Sequence, residues 1–134
     1  MLMKSKILIL CTLVLTIFLT GCTTNKINSI SYEKFKEKID DKESLILFFG
    51  ESKSMESTLN SVLNDNNLEA YKIKVEKLSD DELNELKNII YYQDPSICFI
   101  VNGENPTILT NIEDEYVTKT KLENVLKDLN FIKE

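Results

Sequence analysis

Apolar positions recur along the chain with two different periods, and the two alternate. Tyr32, Phe35 and Ile39 share one face of a 3.6-residue repeat, with Lys34, Lys36 and Lys38 turned outward and Ser31 ahead of them as an N-cap, so a helix is predicted to about residue 40. Leu45-Ile46-Leu47-Phe48-Phe49 is an unbroken apolar run closed by Gly50, the pattern of a strand buried on both faces. Met55, Leu59, Val62 and Leu63 fall at i, i+4, i+7 and i+8 and predict a second helix over 53–63, ended by Asp65-Asn66-Asn67. Tyr71, Ile73 and Val75 alternate with Lys72 and Lys74 as in a half-buried strand. Ser79 with Glu82 makes a capping box before Leu83, Leu86, Ile89 and Ile90, which predicts a third helix over 80–90. Pro95 introduces a strand over 96–101, and Asn102-Gly103 is a type I′ hairpin signal leading to Thr107-Ile108-Leu109. Thr120 and Glu123 form another capping box near the start of a last helix striped by Leu122, Val125, Leu126 and Leu129. The predicted order is α-β-α-β-α-β-β-α, an α/β chain with no internal repeat and no low-complexity segment.

The N-terminal end has a different pattern. Met1-Leu2-Met3-Lys4-Ser5-Lys6 precedes an apolar run over 7–20, the layout of an export signal: a basic start followed by a hydrophobic stretch. The run falls short of the roughly 20 residues that cross a bilayer as a helix. It closes in Leu19-Thr20-Gly21-Cys22, which resembles the lipobox of bacterial lipoproteins. That resemblance implies cleavage before Cys22 and a diacylglyceryl group on its sulfur. The expected organisation is a signal peptide over 1–21, a lipidated tether over 22–30, polar from Thr23 to Ser29, and a domain over 31–134. Two acyl chains on one residue supply the double hydrophobic signal that stable anchoring requires. Loss of Lys4 and Lys6 with the leader makes the charge more negative than the −6 of the whole chain, so the surface repels anionic headgroups while the lipid holds on. The expected location is the extracytoplasmic face of the bacterial cell membrane, with the membrane itself a partner through Cys22.

Composition narrows the chemistry. The chain has no histidine, which removes His-based zinc sites, Ser-His and Cys-His nucleophile pairs and imidazole acid–base catalysis. Its 16 basic residues are all lysine and are outnumbered by 22 acidic ones, so it lacks the basic footprint and the bidentate guanidinium contacts of a nucleic-acid binder. Of the 3 cysteines, Cys11 lies in the leader and Cys22 at the lipobox, which leaves Cys98 as the free thiol of the exported chain. With no second thiol to pair with, the domain has to be held by its core, and a chain of this size buries about two-thirds of its unfolded surface. The acidic pairs Asp40-Asp41 and Asp80-Asp81 read as solvated caps, Asp80 and Asp81 being favoured by the helix dipole, so no metal and no cofactor is expected.

The order of elements over 31–134 resembles the thioredoxin-like family: a buried strand feeding a helix, a further βα step, then a proline opening a hairpin that leads to a terminal helix. Phe48-Phe49-Gly50-Glu51 resembles the strand end before that family's active-site loop. Asp94-Pro95-Ser96-Ile97-Cys98-Phe99-Ile100-Val101-Asn102-Gly103-Glu104 resembles its cis-proline segment and hairpin. The resemblance implies a central mixed sheet flanked by helices, a cis bond before Pro95, and a groove in which extended peptides pair with backbone. Where the family carries Cys-x-x-Cys, this chain has Ser52-Lys53-Ser54-Met55. A serine hydroxyl neither ionises near neutral pH nor forms a reducible bond, so dithiol exchange is not carried over. Ser52 and Ser54 read as helix caps rather than as nucleophiles served by Lys53. Cys98, between Ile97 and Phe99 in a predicted strand, reads as a core residue. The candidate groove is Ser52, Lys53, Ser54, Met55, Asp94 and Pro95. The expected function is a redox-inactive, membrane-anchored module that binds a peptide or protein of the cell envelope; the alternative is thiol–disulfide exchange through Cys98 and a partner's thiol.

Overall fold

Strand β2 (Leu45–Phe49) is buried at all five positions, and its neighbours explain why the apolar run has no polar alternation. The computed structural model describes residues 24–111 and 117–133. Within it β2 lies at the centre of a five-stranded sheet, in the order β1 (Ile27–Ser29), β3 (Ala70–Lys72), β2, β4 (Ser96–Val101), β5 (Glu104–Leu109). It pairs parallel with β3 and antiparallel with β4. Because side chains alternate across a strand, one run feeds two cores. Ile46 and Phe48, with Ile97 and Phe99 of β4, pack with Met55, Leu59, Val62 and Leu63 of α2 (Lys53–Asn66) and Leu122 and Leu126 of α4 (Lys119–Asp128). Leu45, Leu47 and Phe49, with Cys98 and Ile100, pack with Tyr32 and Phe35 of α1 (Tyr32–Asp40) and with Leu86 of α3 (Asp80–Ile89) and Ile90 beyond it. The sheet is therefore mixed and covered by helices on both faces, as predicted.

The helix starts follow the serines. Ser31 accepts the N–H of Lys34, Ser52 accepts that of Met55, and Ser79 and Glu82 exchange both bonds of a capping box. Helix α2 continues to Asn66, three residues past its last apolar position, because Asn67 takes the left-handed conformation (φ 53°) that closes it. Helix α4 starts two residues earlier than Thr120 implies. Thr118 is the cap, accepting the N–H of Lys121, and Thr120 lies inside the first turn. Buried Val117 just ahead of the cap and Leu122 four residues into the helix join the same core, a hydrophobic staple that sets the entry point.

The strands depart from the sequence reading in three places. The segment expected to be a tether contains strand β1 (Ile27–Ser29), parallel to β3 at the sheet edge, with Ile27 only 5% exposed. A single apolar residue among polar ones carries no periodic signal, and the strand is held by backbone pairing instead. Strand β3 ends at Lys72, and a 3₁₀ turn (Val75–Lys77) replaces the end of the predicted alternation. Strand β5 (Glu104–Leu109) begins directly after the hairpin, whose Asn102 and Gly103 have the positive φ of a type I′ turn (54° and 73°). Pro106 is tolerated because β5 is an edge strand. Cys11, Cys22 and the predicted signal peptide lie outside the described residues, among which no helix is long and apolar enough to cross a membrane.

The start of α4 can be tested with two threonines. Thr118→Ala is expected to lower stability by about 1 kcal/mol, and Thr120→Ala to leave it within about 0.5 kcal/mol, in urea unfolding with an unchanged slope.

Candidate functional site

The C-terminal end of β2 passes through Gly50, Glu51 and Ser52 into α2, and the segment before β4 comes back against this loop. Gly50 has φ +87°, and a Cβ there would run into the Asp94 carboxylate and stand 3.1 Å from the Pro95 Cα. Glycine is required on both counts, the backbone conformation and the close approach. The Asp94 Oδ1 accepts the Glu51 N–H at 3.4 Å, a bond across 43 residues of sequence. The Asp94–Pro95 bond is cis, as the resemblance implies. The Pro95 carbonyl accepts the Thr110 hydroxyl at 2.8 Å, and the buried Ser96 hydroxyl donates to the Gln93 carbonyl. Tyr92 stacks on Phe49 with ring centroids 4.5 Å apart and an interplanar angle of 13°. On the other flank Lys72 reaches Glu51 at 3.2 Å and lies over the Phe48 ring.

Five of the six candidate groove residues are thus gathered at one end of the sheet. Ser52 is half-buried and its hydroxyl is occupied by the Met55 N–H at 3.2 Å, the capping role read from the sequence. Lys53, Ser54 and Asp94 are exposed and Pro95 is half-buried. Met55 is placed differently. It is 2% exposed and packs in the core beneath α2, so its side chain supports the loop from below and forms no groove wall. The sequence reading missed Glu51, Lys72, Tyr92 and Thr110. Three of them act through long-range contacts that no local pattern announces, and for Tyr92 the aromatic pair Tyr91-Tyr92 just ahead of Asp94 was the available signal.

Cys98 does not join this site. It lies in β4 opposite Leu47, fully buried on the α1 and α3 face. Burial pushes its thiol up to about 12 from the ordinary value of 9.0. At neutral pH it is a protonated thiol without access to a disulfide, the opposite of what exchange chemistry needs. No group of three or more metal-ligating side chains occurs among the described residues. Among the described residues, cavities lie outside the loop. One of about 470 Å³ is lined by Ile30, Tyr32, Ile73, Lys74 and Leu78, and one of about 290 Å³ by Lys87, Ile90, Tyr91 and Tyr92. The second adjoins the Tyr92 stack, where Tyr91 is 82% exposed.

Solved structures share this fold. A thioredoxin of Malassezia sympodialis superposes with a TM-score of 0.57 at 15% identity, covering 81% of this chain and 94% of that one. Thioredoxin O2 of Arabidopsis thaliana gives 0.56 at 13% identity over 78% of this chain and 95% of that one. The chain has a thioredoxin-like fold. A chloroplastic thioredoxin z is similar in the same way, at 0.54 and 18% identity over 81% of this chain and 97% of its own. Neither a family model nor a curated protein matches the chain. In this thioredoxin-like domain the loop after β2 and the cis-proline segment meet across Gly50 and Asp94.

Two outcomes follow from this geometry. Gly50→Ala is expected to destabilise the domain by about 1–3 kcal/mol, since neither the φ nor the space suits a side chain; thermal unfolding measures it. Stability is also expected to fall at high pH. The folded thiol of Cys98 holds its proton up to about 12, whereas the unfolded one loses it near 9.0. Its contribution is therefore complete below about pH 9 and is lost as pH rises toward 12, by up to about 1.4 kcal/mol per pH unit. Tyr32, raised to about 12 by burial and by neighbouring Glu85, acts in the same direction from 10.0 upward. Urea unfolding of wild type and Cys98→Ala across this range isolates the thiol, the variant showing the shallower decline.

Proposed function

We propose that this chain is a lipid-anchored, redox-inactive thioredoxin-like lipoprotein of the cell envelope, with the leader 1–21 removed and Cys22 acylated at the extracytoplasmic face. Its loop over 50–54 and the segment over 92–95 form a groove that binds an extended peptide or protein segment by backbone pairing. The observation that carries this reading is the meeting of Gly50 and Asp94: the fold's two loops are in place, yet the exposed groups there are the Ser54 hydroxyl, the Glu51 and Asp94 carboxylates and the Lys53 ammonium. The cysteine among the described residues is buried elsewhere.

Backbone pairing is supported by the ladder itself. Pairing of β2 with β4 begins at Phe49 and Ser96, so the backbone of Asp94 lies beyond the last paired residues at an exposed end of the sheet. An added strand there gains main-chain bonds, while Tyr91 and Tyr92 offer aromatic surface beside it. Lys53, Glu51 and Asp94 supply charges of both signs for choosing among sequences.

A photo-crosslinking residue in place of Ser54 or Asp94 is expected to trap a discrete partner in the native envelope, and one in place of exposed Lys127 on α4 to trap none. Trapping from Lys127 alone contradicts the groove assignment.

A further inference from the structure

The residues ahead of β1 are fastened to the domain, and this fixes which way the domain faces if the anchor is where the sequence puts it. The Asn64 side-chain amide donates to the Thr24 carbonyl at 2.9 Å. The Lys26 N–H donates to the Asn60 side-chain oxygen at 2.7 Å, and the Lys26 carbonyl accepts the Ala70 N–H at 2.9 Å. The Asn25 side-chain oxygen accepts the Ile27 N–H at 3.0 Å. The chain is therefore laid along the C-terminal half of α2 from Thr24 onward, two residues after Cys22. Two residues reach about 7 Å at full extension.

Two independent routes place the groove at the opposite end. Strand β1 is parallel to β3, and β3 to β2, so the start of β1 lies at the end of the sheet where β2 begins, while Gly50 follows the end where β2 finishes. Helix α2 runs between the same two ends: its cap Ser52 is in the loop, and Asn64, in its last turn, holds Thr24. The helix has 14 residues, a length of about 21 Å. The turn itself suits a zwitterionic headgroup layer: Asn64, Asn66 and Asn67 are neutral and polar, and the Asp65 carboxylate is met by Lys119 of α4, while exposed Glu69 beside the turn and Asp40, Asp41 and Glu43 ahead of β2 disfavour an anionic one.

We propose that the membrane surface is the partner of this end: the Asn64–Asn67 turn rests against the outer leaflet, and the groove points away from it, about 20 Å further out. The proposal rests on the lipid-anchor reading of Cys22. A leash this short also denies the domain the free tumbling of a long tether, so the groove is presented at a set height and in a set direction.

Depth-dependent quenching tests it on the full chain, expressed in bacteria that process lipoproteins and reconstituted into phosphatidylcholine vesicles carrying nitroxide-labelled lipid. A fluorophore is attached at Asp65→Cys or Ser54→Cys, where buried Cys98 does not compete for label. The probe at position 65 is expected to be quenched several-fold more than that at position 54. Inserting a flexible segment of about ten residues after Thr23 is expected to shrink the difference. Equal quenching in the uninserted chain, or stronger quenching at position 54, overturns the orientation while leaving the anchor standing. A chain that fails to sediment with membranes, or sediments equally well as Cys22→Ser, overturns the anchor and the orientation together.

Discussion

Strand β2 has to be covered on both faces, and that requirement arranges the rest of the molecule. Five consecutive buried side chains in one strand need a helix layer above and another below, and β3 and β4 have to flank the strand so that its backbone groups are paired. Helix α2 is the first consequence. The chain leaving β2 must turn back over the sheet to deliver Met55, Leu59, Val62 and Leu63 to the core, and it turns at Gly50. The same turn brings the loop against Asp94 and Pro95, which precede the strand on the other side of β2. The site is thus a by-product of the core's geometry: it forms where the buried strand ends and the chain has to reverse.

Much of this was legible in the sequence because the signals were local. Ser31, Ser52 and Ser79 each announce a helix through a side chain that bonds three residues on, and all three cap as read. The misses are places where a distant contact outweighs a local pattern. Thr120 with Glu123 makes a good capping box on paper, but Val117 enters the core and pulls the helix start back to Thr118. β1 has one buried residue, and its order comes from Ala70, Asn60 and Asn64, all more than thirty residues away. Met55 belongs to two patterns in the sequence, the apolar stripe of α2 and, by resemblance, the groove. Periodicity reported its environment correctly, since the stripe is what the core selects, whereas the resemblance located the loop without saying which side chains face outward.

What the site offers chemically follows from what surrounds each group. The Ser52 hydroxyl is committed to the helix start, and the Asp94 carboxylate to the Glu51 N–H across the loop, so both act as fasteners. The Phe49–Tyr92 stack and the Lys72–Glu51 pair brace the two flanks. Cys98 is held where a thiol behaves as a small apolar side chain, with its ionisation suppressed by burial. The result is a thioredoxin-like frame in which the loop after β2 and the cis-proline segment are held against each other and no reactive sulfur reaches the surface among the described residues.

The central claim is that this frame works without thiol chemistry, and the state of Cys98 tests it most directly. Native protein equilibrated with glutathione disulfide, quenched in acid and digested, should yield the Cys98 peptide at its unmodified mass, with modification appearing only when the protein is first unfolded in urea. A glutathione adduct on Cys98 in the folded protein would contradict the account.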